Sequence, residues 1–160
     1  MRRRSKRTAP PDTAAGQSAE RAVPSPPAPT KSVWWKYEPD EKPKKKHAWD
    51  RPHAGVVEHP RGTKIAKCPS NIATDLAEKV LNTGVPVSFK SWRDAHPQRI
   101  YAVHEGVLYR ATPTNPGVPY HAFPEFPERF RELPAAARRA VLDYVKGLGY
   151  EDEVRRWMRT

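Results

Sequence analysis

The chain has 160 residues, 37% of them hydrophobic, with 19 prolines and a formal charge of +11; this suffices for one modest domain but is too polar and proline-rich for every residue to be packed. A single cysteine, Cys68, excludes an intramolecular disulfide and fits a reducing compartment. The basic start Met1 to Arg7 is not followed by the apolar run of a signal peptide, and no stretch is long enough to span a bilayer, so the expectation is a soluble, cytoplasmic protein without a membrane partner.

Taken in order, residues 1–32 mix basic side chains with Pro, Ala and Ser and show neither a helical nor a strand period, which predicts a disordered tail. Val33-Trp34-Trp35-Lys36-Tyr37 breaks the pattern, because three large rings among five residues either pin the tail to a folded body or dock a partner. Lys42-Pro43-Lys44-Lys45-Lys46 follows in a charged, proline-containing stretch, and residues 33–67 read as an extended arm. His47, His53 and His59 recur every six residues, a spacing that matches no familiar zinc motif, so neither a metal nor a cofactor is expected. Nine of the eleven excess positive charges lie before Cys68, which leaves the remainder nearly neutral.

Residues 68–160 read as a compact domain. Ser70 is placed to cap a helix whose apolar stripe is Ile72, Ala73, Leu76, Ala77, Val80 and Leu81, with Gly84 and Pro86 ending it. Cys68 stands at the start of that helix, as a small buried residue. Val85 to Phe89 suits a short strand.

Ile100 to Val103 and Val107 to Ala111 form the clearest β-signal, joined by Glu105-Gly106, which can supply the positive φ angles of a two-residue hairpin. The implied register sets His104 against Val107, Tyr101 against Arg110 and Ile100 against Ala111. One face then carries Ile100, Ala102, Tyr109 and Ala111 as a core face. The other carries Arg99, Tyr101, Val103, Leu108 and Arg110 and suits a partner surface. Beyond the proline-rich loop 113–119, Tyr120 to Phe123 suits a third strand, and Pro124 to Leu133 a short helix with Phe126, Phe130 and Leu133 inward. Two helices end the chain, the first with Ala137, Val141, Leu142 and Val145 as its stripe, the second opening on Glu151-Asp152-Glu153 and closing on Arg155, Arg156 and Arg159. The expected fold is therefore α+β: a small antiparallel sheet built on a central hairpin, packed by about three helices, with a disordered basic tail.

Cys68-Pro-Ser-Asn-Ile, the helix ending in Leu81, Tyr101-Ala-Val-His-Glu-Gly-Val-Leu-Tyr, Pro113 to Pro119 and Tyr120-His121 together resemble a group of small uncharacterised bacterial proteins associated with secretion and toxin gene clusters. The resemblance spans about Trp34 to Met158. It implies a bacterial domain, is compatible with an immunity or adaptor role, and adds no site residue.

Two functional classes follow. The first is a non-enzymatic binding protein that engages an acidic protein or nucleic acid through its arm, using Trp34, Trp35, Tyr37, Lys44, Lys45 and Lys46, with Arg99, Tyr101 and Arg110 on the hairpin. The second is a metal-independent endoribonuclease, which needs a base for the 2′-hydroxyl, an acid for the leaving oxygen and a cation for the phosphorane; His104 and His121 with Arg99, Tyr101 and Arg110 supply those residue types. Binding ranks first, because no spacing fixes the histidines on one surface and the hairpin register points His104 away from Arg99, Tyr101 and Arg110.

Overall fold

A computed structural model describes residues 35–39, 47–114 and 119–159. The expected disordered tail, Trp34 and Lys44 to Lys46 lie outside the described residues. Those described fall within one unit, Val33–Thr160.

The elements in chain order are β1 (Lys36–Tyr37), β2 (Gly55–Glu58), β3 (Lys64–Lys67), α1 (Thr74–Asn82), β4 (Val85–Val87), β5 (Arg99–His104), β6 (Val107–Pro113), β7 (Pro119–Pro124), α2 (Pro127–Arg131), α3 (Ala135–Gly147) and α4 (Glu151–Trp157). Five strands make one sheet in the order β1-β7-β6-β5-β4, and β2 and β3 make a separate antiparallel pair. Within the larger sheet every pairing is antiparallel except β1 with β7, which is parallel. The α+β expectation thus holds, with four helices among the described residues where about three were expected.

The central hairpin has the register the sequence implies, with His104 opposite Val107, Tyr101 opposite Arg110 and Ile100 opposite Ala111. Glu105 and Gly106 carry φ of 49° and 75°, the left-handed pair that a type I′ turn requires. Gly106 also meets α4 so closely that an added Cβ would lie 2.4 Å from Glu153 Cβ.

Both faces of the sheet are covered, which corrects the reading of the Tyr101 face as a partner surface. Tyr101, Val103 and Leu108 join Phe130, Leu133, Val141, Val145 and Val154 in the larger core cluster, with the C-terminal helices lying on that face. Ile100, Ala111 and Tyr120 face the other way and join Leu81 of α1, together with Trp35 and Tyr37. A strand covered on both sides loses the apolar-in, polar-out alternation by which a solvent face is recognised. Helix phasing departs in detail: Leu76 and Leu142, both expected in apolar stripes, are 40% and 46% exposed.

The stretch read as an extended arm is built into the same unit. β1 extends the sheet, and β2 and β3 form a hairpin whose turn contains Gly62 at φ 77°. Ser70 does not cap α1, whose N-cap is Ala73 without a side-chain hydrogen bond; instead the Ser70 N–H donates to the Arg51 carbonyl and the Cys68 N–H to that of His47, at 2.8 and 2.7 Å. These bonds fasten 47–51 alongside 68–70, so Cys68 precedes the first residue of α1 by six positions and does not stand at its N-terminus.

Candidate functional site

β1 is only two residues long, and its last backbone link to β7 is the Glu38 N–H donating to Tyr120 O at 2.9 Å. Farther along β7 the neighbour is the 47–49 segment: the His47 ring stacks on Phe123, centroids 4.7 Å apart with planes 12° from parallel, and lies 5.6 Å from the His121 ring. The result is a cleft of about 240 Å³ whose walls include Tyr37, His47, Trp49, Cys68, Ser70 and His121.

Backbone carbonyls orient the two imidazoles. His47 Nδ1 lies 2.7 Å from Ala66 O, and because a carbonyl only accepts, that nitrogen carries the hydrogen and Nε2 is the basic atom of the neutral ring. His121 Nδ1 faces Glu38 O at 3.5 Å, a longer contact of the same sense. Trp49 is held by its Nε1–H donating to His53 O at 2.9 Å and by the edge of His53, 5.4 Å away. The exposed Arg51 guanidinium sits 5.0 Å from the Trp49 centroid, and Lys67 Nζ donates to Ala48 O at 3.2 Å. An imidazole pair, an aromatic wall and two cations therefore share one edge of the sheet.

The residues singled out on the hairpin converge elsewhere. Arg99, Tyr101 and Arg110 gather on Glu125, which is fully buried. Tyr101 donates to Glu125 Oε2 at 3.1 Å, Arg110 approaches the same oxygen at 3.6 Å, Arg99 reaches the Tyr101 hydroxyl at 3.4 Å, and the Phe126 N–H donates to Oε1 at 2.9 Å. Burial raises the Glu125 carboxyl above its ordinary pKa, against the opposing pull of Arg110 and the hydrogen bonds. Burial, followed by the Glu125 charge, pushes the Tyr101 hydroxyl up to about 12. With Tyr101 at 0% exposure, this group is an internal polar network and not a docking surface.

His104 and His121 do not meet. His104 pairs with Val107 and His121 with Thr112, five residues farther along β6 and hence roughly 17 Å away along the strand. His104 instead helps line an apolar cavity of about 90 Å³ beside α1, together with Cys68, Leu81, Ile100 and Tyr109. The Tyr109 hydroxyl in that wall is buried without a hydrogen-bond partner among the described residues, and burial raises its pKa.

Trp35 is an anchor: its N–H donates to Asn82 Oδ1 at 2.9 Å, Asn82 Nδ2 donates back to its carbonyl at 2.8 Å, and its ring meets Tyr120 edge-on at 6.3 Å. Tyr37 both packs against that core and reaches the edge cleft. Of the cleft residues, sequence reasoning singled out Tyr37 and His121 and missed the parts played by His47 and Trp49. The signal was the apolar pair Val56-Val57, the turn Arg61-Gly62 and Ile65-Ala66, a hairpin pattern that shows 47–67 to be folded. Among the described residues no group of three or more His, Cys, Asp or Glu is placed to hold a metal ion, and no helix is long and apolar enough to cross a membrane.

Compared with protein-family models, curated proteins and solved structures, the chain matches none of them.

Proposed function

We propose that this protein binds nucleic acid, taking a single-stranded segment at the edge cleft while the basic residues before Cys68 supply the attraction. The observation that carries the reading is the grouping of Trp49, Arg51, His47 and His121 at one sheet edge. An aromatic ring beside guanidinium and imidazole groups suits an unpaired base and its phosphate, since every base has a π-face and every phosphate a charge. In the sequence, Pro39 and His47, both of which line the cleft, flank residues 40–46, in which Asp40 and Glu41 precede the lysine-rich run 42–46. The nearly balanced charge after Cys68 assigns the electrostatic part of binding to the N-terminal portion.

Binding of a fluorescent single-stranded RNA, titrated from low to physiological salt, tests the proposal. About five phosphate contacts give a log-log salt slope near −3.5 on a single strand, or −4 to −5 on a duplex, and deleting residues 1–32 flattens it. A salt-independent affinity, or a slope unchanged by the deletion, rules out the tail as the electrostatic element. Failure to bind RNA combined with tight binding to an acidic protein would replace nucleic acid by that partner class.

A further inference from the structure

We propose that the His47 and His121 pair is the catalytic centre of a metal-independent ribonuclease, an inference that rests on the nucleic-acid reading and assigns a reaction to the same cleft. Sequence reasoning ranked catalysis low because nothing placed two histidines on one surface; the structure supplies that placement, with a different partner for His121. Their ring centroids lie 5.6 Å apart with the planes tilted by 43°, close enough for both to reach one phosphodiester from the same wall, and both are half-buried in the cleft.

The carbonyl of Ala66 fixes the neutral His47 ring in the tautomer whose Nε2 accepts a proton, the form a base requires. His121 directs Nδ1 at the Glu38 carbonyl in the same sense, so both rings present Nε2, and the proposed reaction takes His121 as the acid. His47 Nε2 takes the proton of a ribose 2′-hydroxyl as the 2′-oxygen forms a bond to the adjacent phosphorus. The bond from phosphorus to the 5′-oxygen of the next nucleotide breaks with its electron pair, and that oxygen takes the proton His121 gives up. The products are a 2′,3′-cyclic phosphate and a 5′-hydroxyl, with no water consumed and no oxidant or metal needed.

Two cations stand against residues of the cleft wall, Arg51 on the Trp49 ring and Lys67 on the Ala48 carbonyl, and in the proposed reaction they offset the charge of the phosphorane. Trp49, which lines the same cleft with Arg51 against its ring, is the aromatic residue a neighbouring base would meet. The 2′-hydroxyl is an obligatory reactant, so RNA is the substrate and DNA is not.

The test uses the full chain in EDTA with three oligonucleotides of one sequence: RNA, DNA and 2′-O-methyl RNA. Expected are cleavage of RNA alone and 2′,3′-cyclic phosphate ends by mass spectrometry. His47→Ala and His121→Ala each slow cleavage by about a hundredfold or more while the 2′-O-methyl strand still binds. If either variant loses its thermal transition, His47→Gln and His121→Gln take its place and must show the same loss. RNA left intact while the 2′-O-methyl strand binds overturns this inference and leaves the binding proposal standing; absence of binding by all three strands overturns the binding proposal itself. Cleavage undiminished in every variant also overturns the inference.

Discussion

His47 and Phe123 lie face to face, ring centroids 4.7 Å apart, and the Arg110 guanidinium stands 4.8 Å from the same Phe123 ring. Phe123 is therefore the link between the edge cleft and the Glu125 network on the same face of the sheet. Phe123→Ala removes both the stack and the cation-π contact and is expected to destabilise the fold by about 2 kcal/mol, since the ring is only partly buried. Phe123→Leu keeps most of the apolar volume and should cost about 1 kcal/mol. Urea titrations measure both, and the proposed site predicts that both lower RNA affinity by freeing His47 from its stack.

Glu125 gives the fold a pH dependence with a definite sign. Its folded pKa is raised above the ordinary 4.5 by burial, so the native state binds the proton more tightly than the unfolded chain does. The stabilisation is complete below the unfolded value and is lost as pH rises through the folded one. Glu125→Gln holds the group neutral at every pH. The thermal midpoint of the wild type minus that of the variant should therefore fall as pH is raised from below 4.5 toward neutrality. A difference that rises with pH would show that Arg110 outweighs desolvation.

Two buried tyrosines should respond in opposite directions to loss of their hydroxyls. Tyr101 donates to Glu125 and accepts from Arg99, so Tyr101→Phe should cost about 1 to 3 kcal/mol by leaving the buried carboxylate short of a donor. The Tyr109 hydroxyl is buried with no hydrogen-bond partner among the described residues. Tyr109→Phe removes a desolvated polar group without breaking a bond and should be neutral or stabilising by up to about 1 kcal/mol. Denaturant unfolding of the two variants, compared at fixed m-value, decides this.

The central hairpin was legible because its register depends on the two residues between the strands, and Glu105-Gly106 admits the left-handed turn found. The C-terminal helices were legible from their periodicity, though Leu142 shows that a stripe indicates a face without saying how far the neighbours cover it. The role of the Tyr101 face was not legible, because Arg99 and Arg110 look solvent-bound until a carboxylate 15 residues after Arg110 is seen to hold Arg110 directly and Arg99 through the Tyr101 hydroxyl. The cleft was hidden for a related reason. His47 reaches His121 only because Cys68 and Ser70 bind the backbone of 47–51, and hydrogen bonds between main chains 19 or more residues apart leave no side-chain signature.

Gly55 offers a way to disturb the cleft without touching a histidine. The Trp49 ring lies against its backbone so closely that a Cβ at Gly55 would sit 2.2 Å from one ring carbon and 2.7 Å from another. Alanine at this position forces the indole to move, and with it the Arg51 guanidinium stacked there and the hydrogen bond to His53 O. Because Gly55 belongs to the small β2 and β3 pair and not to either core cluster, Gly55→Ala should lower the thermal midpoint only slightly. Its indole fluorescence should shift, and its affinity for single-stranded RNA should fall by about five- to tenfold, the loss of about 1 kcal/mol of base stacking. Unchanged affinity alongside a shifted fluorescence would remove Trp49 from the binding surface.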